Sequence, residues 1–199
     1  MPRLPYLEDH ELVPEAKEFV RLAETAGSPD PRVLRIITRS EAGRAWYRYW
    51  QSLNNGELET SLKELVRVKI AFDHACGYCS TVRNAGAKAE GLTEDRIQEV
   101  WDFENSTVLT EREKMALRFA HYIKWDIDKA DSDTFYEELK KYFTESEIVE
   151  LGLWCAENEG AGKFVRTLNI LTWQNACELN PETAKNAAKH GHPTSEAAE

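Results

Sequence analysis

Positive charge is in short supply in this chain. Twenty-five Lys and Arg stand against 35 Asp and Glu, a formal net charge of −10, with a sequence pI near 5.1. A surface that tracks phosphates needs the opposite balance, so nucleic acid is not an expected partner. Long apolar runs are missing too. None approaches the length of a membrane span, and Met1 to Asp9 lacks the apolar core of a secretory signal. No membrane partner is therefore expected, and a cytoplasmic location is the default. Cysteine is sparse at four in 199 residues, too few for a disulfide framework. The period-two alternation of half-buried strands is absent. So is any glycine-rich flavin or nicotinamide fingerprint, and no cofactor is expected.

What is present is helical punctuation. Pro14 suits the first turn of a helix running through Ala23, and Asp30-Pro31 pairs an N-cap with proline at the first helical position. Ser40 can cap the next helix, whose Trp46, Tyr47, Tyr49 and Trp50 form either a packing face or a substrate wall. Asn54-Asn55-Gly56 marks a turn. Thr93 can cap a short helix to Trp101, with residues 102–109 as a connection. Two capping boxes, Thr110 with Glu113 and Thr144 with Glu147, open longer helices, and Asp131-Ser132-Asp133 supplies another cap between them. The last helical stretch runs through Trp173. Within it Gly160 and Gly162 permit a break, a kink or a close crossing, and the acidic cluster Glu157-Asn158-Glu159 is expected on a solvated face. Cys155 and Cys177 fit as small core residues. The expected fold is all-α, with residues 1–180 one helical domain that includes an irregular arm over 1–13. Residues 181–199, with His190 and His192, are expected to form a flexible tail.

The chemistry concentrates in residues 59–91, expected as a helix pair around Cys76-Gly77-Tyr78-Cys79. A C-x-x-C at a helix start places two sulfurs about a turn apart, near N–H groups that favour thiolate. Arg83, four residues after Cys79, would share that face and add a permanent positive charge. Core cysteines are one alternative. A zinc site using His74, Cys76 and Cys79 is another, but it has no fourth ligand in pattern. A thioredoxin-type site lacks its βαβ context.

Glu64, the gap to Cys76-x-x-Cys79 and the helix ending at Gly91 resemble the carboxymuconolactone decarboxylase family, in its alkylhydroperoxidase D-like branch. The similarity continues through Leu92-Thr93-Glu94, Leu109 to Glu113 and Phe143 to Leu151. The resemblance implies an alkylhydroperoxidase D-like helical bundle, a homo-oligomer (a trimer or a multiple) and a redox-active cysteine pair. It also implies that Cys79 attacks a hydroperoxide, that Cys76 resolves it as a disulfide, and that Glu64 and histidines relay protons. Here the chain departs from the pattern. Arg83 stands where a relay histidine is expected, and Tyr78 stands where a second one is common. Arginine cannot act as a base near neutral pH, which makes His74 and His121 the candidate substitute bases.

The leading functional expectation is a thiol-dependent peroxidase or disulfide oxidoreductase. Cys79 would be the nucleophile, Cys76 the resolving thiol, Glu64 a proton acceptor, Tyr78 a hydrogen-bond donor and Arg83 the thiolate's counter-charge. An external thiol or dithiol would reduce it. One alternative is a cofactor-free lyase or decarboxylase that binds a small organic acid or lactone through Arg83. A second is a non-catalytic redox-sensing or binding oligomer.

Overall fold

The computed structural model describes residues 1–190, and all regular structure among them is helical. The chain runs α1 (Pro14–Ala26), α2 (Pro31–Ile37), α3 (Glu41–Asn54), α4 (Thr60–Asp73), α5 (Gly77–Thr81), α6 (Ala85–Ala89) and α7 (Glu94–Gln98), followed by a 3₁₀ turn over Glu99–Asn105. Then come α8 (Glu111–Trp125), α9 (Ile127–Ala130), α10 (Asp133–Leu139), α11 (Glu145–Thr167), α12 (Trp173–Leu179) and α13 (Pro181–Lys189). Side-chain caps read in the sequence form where expected: Asp30, Ser40, Thr93 and Ser132 each accept a backbone N–H. Both capping boxes are complete.

The centre of the bundle is α4. Every residue from Leu62 to Phe72 is buried, with α11, α8 and the short helices α5 and α6 packed around it. A helix covered on all sides should be apolar, yet this one carries Lys63, Glu64, Arg67 and Lys69. Burial leaves no water to solvate them, so each is paired. Lys63 Nζ reaches Glu150 of α11 and the carbonyls of Leu53 and Asn54, each at 2.9 Å. Lys69 Nζ lies 2.6 Å from both carboxylate oxygens of Asp73.

Several boundaries differ from the sequence-based expectation. The helix expected after the cysteines is broken at Val82, whose extended backbone (φ −72°, ψ 147°) separates α5 from α6. Residues 102–109 begin inside the 3₁₀ turn. The last long helix stops at Thr167, and Asn169 takes a left-handed φ of 55° before α12 restarts at Trp173. Residues 181–189 are not a tail: α13 is capped by Asn180 and buries Thr183 and Ala187, while His190 stacks on Trp101 at 5.5 Å. Alternating small and polar residues were enough to cover a seam that local composition does not reveal. The rest of the expected tail, including His192, lies outside the described residues. Residues 1–13 lie along the body, with Arg3 N donating to Leu168 O and Leu7 N to Arg35 O.

Glu150→Ala would leave Lys63 as a buried, uncompensated charge. The expected loss is roughly 3–5 kcal/mol of unfolding free energy, read as a lower midpoint in a urea titration at unchanged slope.

Candidate active site

The cysteine motif opens α5, with Cys76 as its N-cap and Cys79 in its first turn. The chain leaves α4 at His74 and turns through Ala75 at φ 48°, a conformation that costs a non-glycine residue roughly 1–2 kcal/mol. Gly77 follows because a Cβ there would lie 2.1 Å from the carbonyl oxygen of Thr172, at the start of α12. Cys76 and Cys79 are joined as a disulfide with Cα atoms 5.3 Å apart. The two sulfurs are not equivalent. Cys76 is wholly buried and receives the Cys79 N–H at 3.2 Å. Cys79 is partly exposed and lines a cavity of about 60 Å³. Cys155 and Cys177 are free and buried elsewhere, and burial pushes both thiols upward in pKa.

Glu64 does not face this cavity. It is 2% exposed and clamps Arg67, one turn along α4, through contacts of 2.7 and 2.8 Å, while also accepting the Asn84 N–H. Arg67 in turn donates to the carbonyls of Cys79 and Val82, both at 2.7 Å. The pair therefore holds both ends of the segment that presents Cys79. Burial alone would raise the Glu64 pKa, but Arg67 and the Asn84 N–H outweigh it and hold the carboxyl below its ordinary value. Sequence reasoning missed Arg67, although its i+3 spacing from Glu64 on a helix was a usable signal.

Tyr78 lines the cavity with its ring, but its hydroxyl is committed. It donates to Asp30 Oδ1 at 2.9 Å and accepts the Asp30 N–H at 3.1 Å. Arg83 is displaced from its expected place. Because the helix ends before it, the i, i+4 relation to Cys79 is lost, and its guanidinium bonds Glu94 and the carbonyls of Ser80 and Val82. It does not line the cavity. His121 does not line it either: it lies on α8 beside Phe103 and Tyr122.

His74 does line the cavity. It is 4% exposed, and its Nε2 meets Glu159 Oε2 of α11 at 2.6 Å. Its Nδ1 is buried with no hydrogen-bond partner. Gly162 allows this approach, since a Cβ there would lie 3.3 Å from Nδ1. Of the roles open to Gly160 and Gly162, close crossing is realised at Gly162, while a Cβ at Gly160 would meet nothing within 4 Å, and the helix runs through both unbroken. Burial, then Lys124, pulls the His74 pKa down against the opposing pull of Glu159. Burial would raise Glu159, but Lys163, His74 and Lys124 together keep it low. A carboxylate at Nε2 makes that nitrogen the donor and leaves Nδ1 as an acceptor.

The acidic cluster is not a solvated face. Besides Glu159, Glu157 lines the same cavity as Cys79. Its Oε1 accepts the indole N–H of Trp46 at 2.8 Å, and burial pushes its pKa up to about 7. Among the described residues it has no cationic partner. The aromatic group of α3 divides accordingly: Tyr47 and Trp50 pack in the core, while Trp46 walls the cavity. Trp46, Ala161 and Val165 also border a second, apolar groove of about 600 Å³, faced by Leu4, Ile36, Ile37 and Phe164. The aromatic group holding Trp46 was legible, but its pairing with Glu157 carried no local signal, since 111 residues separate them.

Residues 40–122, from the start of α3 through most of α8, match the Carboxymuconolactone decarboxylase family. The similarity to this family covers 83 of the 199 residues. The matched region holds both cysteines, Glu64 and His74, whereas Glu157 and Glu159 lie beyond it. An uncharacterised protein of Mycobacterium tuberculosis is 33% identical over 94 residues, covering 47% of this chain and 33% of that protein. The uncharacterised protein YdfG of Bacillus subtilis is 23% identical over 96 residues, 48% of this chain and 65% of that one. The chain thus spans about a third of the length of the mycobacterial relative it matches. Among solved structures, the apo debrominase Bmp8 has a TM-score of 0.71 at 17% identity, over 91% of this chain and 97% of its own. A cysteine-to-alanine variant of that debrominase in complex with 2,3,4-tribromopyrrole scores 0.65 at 16% identity, over 96% and 98%. A protein of unknown function from Agrobacterium tumefaciens, proposed as the antioxidant defence protein AhpD, scores 0.58 at 18% identity, over 66% and 90%. At these identities the likeness is one of fold.

Glu64→Gln tests the clamp. With its folded pKa depressed, Glu64 contributes stability that is present above its unfolded value of about 4.3 and is lost as pH falls through the lower folded value. The substitution should cost roughly 3–5 kcal/mol at pH 7 and flatten the acid limb of a stability–pH curve measured by denaturant unfolding.

Proposed function

We propose that the protein is a thiol-dependent oxidoreductase that reduces hydroperoxides with the Cys76/Cys79 pair. One observation carries this reading: two cysteines within bonding distance, of which only Cys79 faces a cavity. An attacking thiol needs access, whereas a resolving thiol needs only reach. The Cys79 thiolate attacks the distal oxygen of ROOH, the O–O bond breaks, and Cys79 becomes a sulfenic acid while RO⁻ leaves and takes a proton. The Cys76 thiol then displaces that hydroxyl as water and closes the disulfide. Two electrons have passed to the peroxide, and an external dithiol returns them. His74 takes the histidine part of the relay. Its free Nδ1 accepts the Cys79 proton, and Glu159 orients the ring, the arrangement of base and orienting acid used to activate thiols elsewhere. Arg83 has no direct part in this scheme, and Glu64 acts by holding Arg67. A small cavity that opens beside an apolar groove favours an organic hydroperoxide, with its head at Cys79 and its hydrocarbon part along Ile36, Ile37 and Phe164.

A second reading shares the same dithiol. The apolar lining and the likeness to a debrominase favour reductive dehalogenation of an apolar organic halide. There two thiols and R–Br would give R–H, HBr and the disulfide. The lyase reading relied on a carboxylate at Arg83, whose guanidinium is already engaged, and no observation favours it.

Free-thiol titration of the reduced protein checks the first reading. One equivalent of cumene hydroperoxide should remove two thiols from the wild type and none from Cys79→Ser, while Cys76→Ser should stop at a trappable sulfenic acid. His74→Gln should slow the wild-type reaction at pH 7 by about 10²-fold. Thiols that persist for hours would exclude peroxide reduction, and halide-dependent disulfide formation would then support the second reading.

A further inference from the structure

The proposed reaction needs a proton at a second place. A base beside Cys79 makes the thiolate, but the departing alkoxide is a poor leaving group unless an acid meets it as the O–O bond breaks. The cavity holds a group of that kind. Glu157 enters it from α11, two residues before Glu159. On a helix of 3.6 residues per turn, two residues are roughly 200° apart. Glu159 therefore points to His74 and Lys124 on one side, and Glu157 points to Trp46 on the other. Resting on the peroxide-reducing reading, we propose that Glu157 is the proton donor to the leaving oxygen, positioned by the indole of Trp46.

The groups facing it support this role. From α3 come Trp46 and Tyr49, from α4 Arg67 and His74, and from α5 Tyr78 and Cys79. Arg67 is occupied by Glu64, the Tyr78 hydroxyl by Asp30, and His74 by Glu159, so none of them ion-pairs with Glu157. Its Oε1 holds the indole, which leaves Oε2 with no hydrogen-bond partner among the described residues. A carboxyl with no counter-charge, pushed up to about 7 by burial, is protonated below pH 7 and still half protonated at it. It sits opposite a histidine whose pKa is lowered. Two titratable groups driven apart in this way divide acid from base. The proton balance closes: Glu157–COOH gives its proton to RO⁻ to form ROH, and the carboxylate regains one from solvent before the next turnover.

The test is the rate of sulfenic acid formation in wild type and Glu157→Gln across pH 5.5–9, with cumene hydroperoxide and with peracetic acid. Taking the ratio of the two proteins cancels thiol ionisation. With cumene hydroperoxide, wild type should lead by about 10²-fold at pH 6, and the ratio should fall about tenfold per pH unit above pH 7. With peracetic acid, whose leaving acetate needs no proton, the lead should shrink toward unity. Trp46→Phe, which removes the N–H that favours the carboxylate, should move the break to higher pH. A ratio near one at pH 6, a ratio independent of pH, or an equal defect with both oxidants would overturn the assignment. An unmoved break in Trp46→Phe would overturn the part given to the indole. If wild-type Cys79 reacts with neither oxidant, the peroxide-reducing reading itself fails, which is a separate result.

Discussion

The Arg67 guanidinium is the point on which the site depends. A cation buried at the centre of a bundle must be neutralised and have its N–H groups satisfied, or it costs several kcal/mol. Glu64 supplies the charge, and the carbonyls of Cys79 and Val82 supply the acceptors. The second requirement turns a stability problem into a positioning device. To give Arg67 those acceptors, the chain must leave helical geometry at Val82. That break fixes where Cys79 points and carries Arg83 away toward Glu94. The lost helical relation between Cys79 and Arg83 and the locked thiol segment thus have one cause.

The same logic extends along α4. Lys63, Glu64, Arg67 and Lys69 are buried and paired, and Lys63 draws Glu150 of α11 into the centre. With α11 docked there, its small residues meet the end of α4. Gly162 leaves room for His74, and Glu159 reaches the ring. The cavity is what remains among α2, α3, α4, α5 and α11. Its walls are unequal: one side presents a histidine with a free nitrogen, the other a carboxyl without a counter-charge. Low dielectric makes both arrangements consequential: His74 Nδ1 is buried without a partner, and Glu157 is partly buried without a counter-charge.

Helix starts were legible because capping is a local exchange between a side chain and a backbone N–H two or three residues on. Asp30, Ser40, Thr110 and Thr144 show it. The cysteine motif was legible for the same reason, with its two sulfurs three residues apart. Helix ends were less so. Thr81 and Thr167 stop where a tertiary partner competes for the backbone, and α13 exists because a seam against α7 and α12 was available to cover. Arg83 was misplaced by assuming that helical spacing continued past Val82. Glu157 and Glu159 were assigned to solvent because charge clusters usually go there. What reversed that was the depth at which α11 docks.

By itself, then, the sequence determined the all-helical class, the caps, the dithiol and the two histidines eligible to serve it. Each of those rests on contacts within a turn or two of chain. Only the tertiary structure decided which histidine meets the cavity, that Asp30 takes the Tyr78 hydroxyl, and that Glu157 shares a cavity with Cys79. Those outcomes join residues from 48 to 111 positions apart, as in Tyr78 with Asp30, His74 with Glu159 and Trp46 with Glu157. They follow from how buried charges on α4 must be paired, a requirement the whole bundle satisfies together and no single segment encodes.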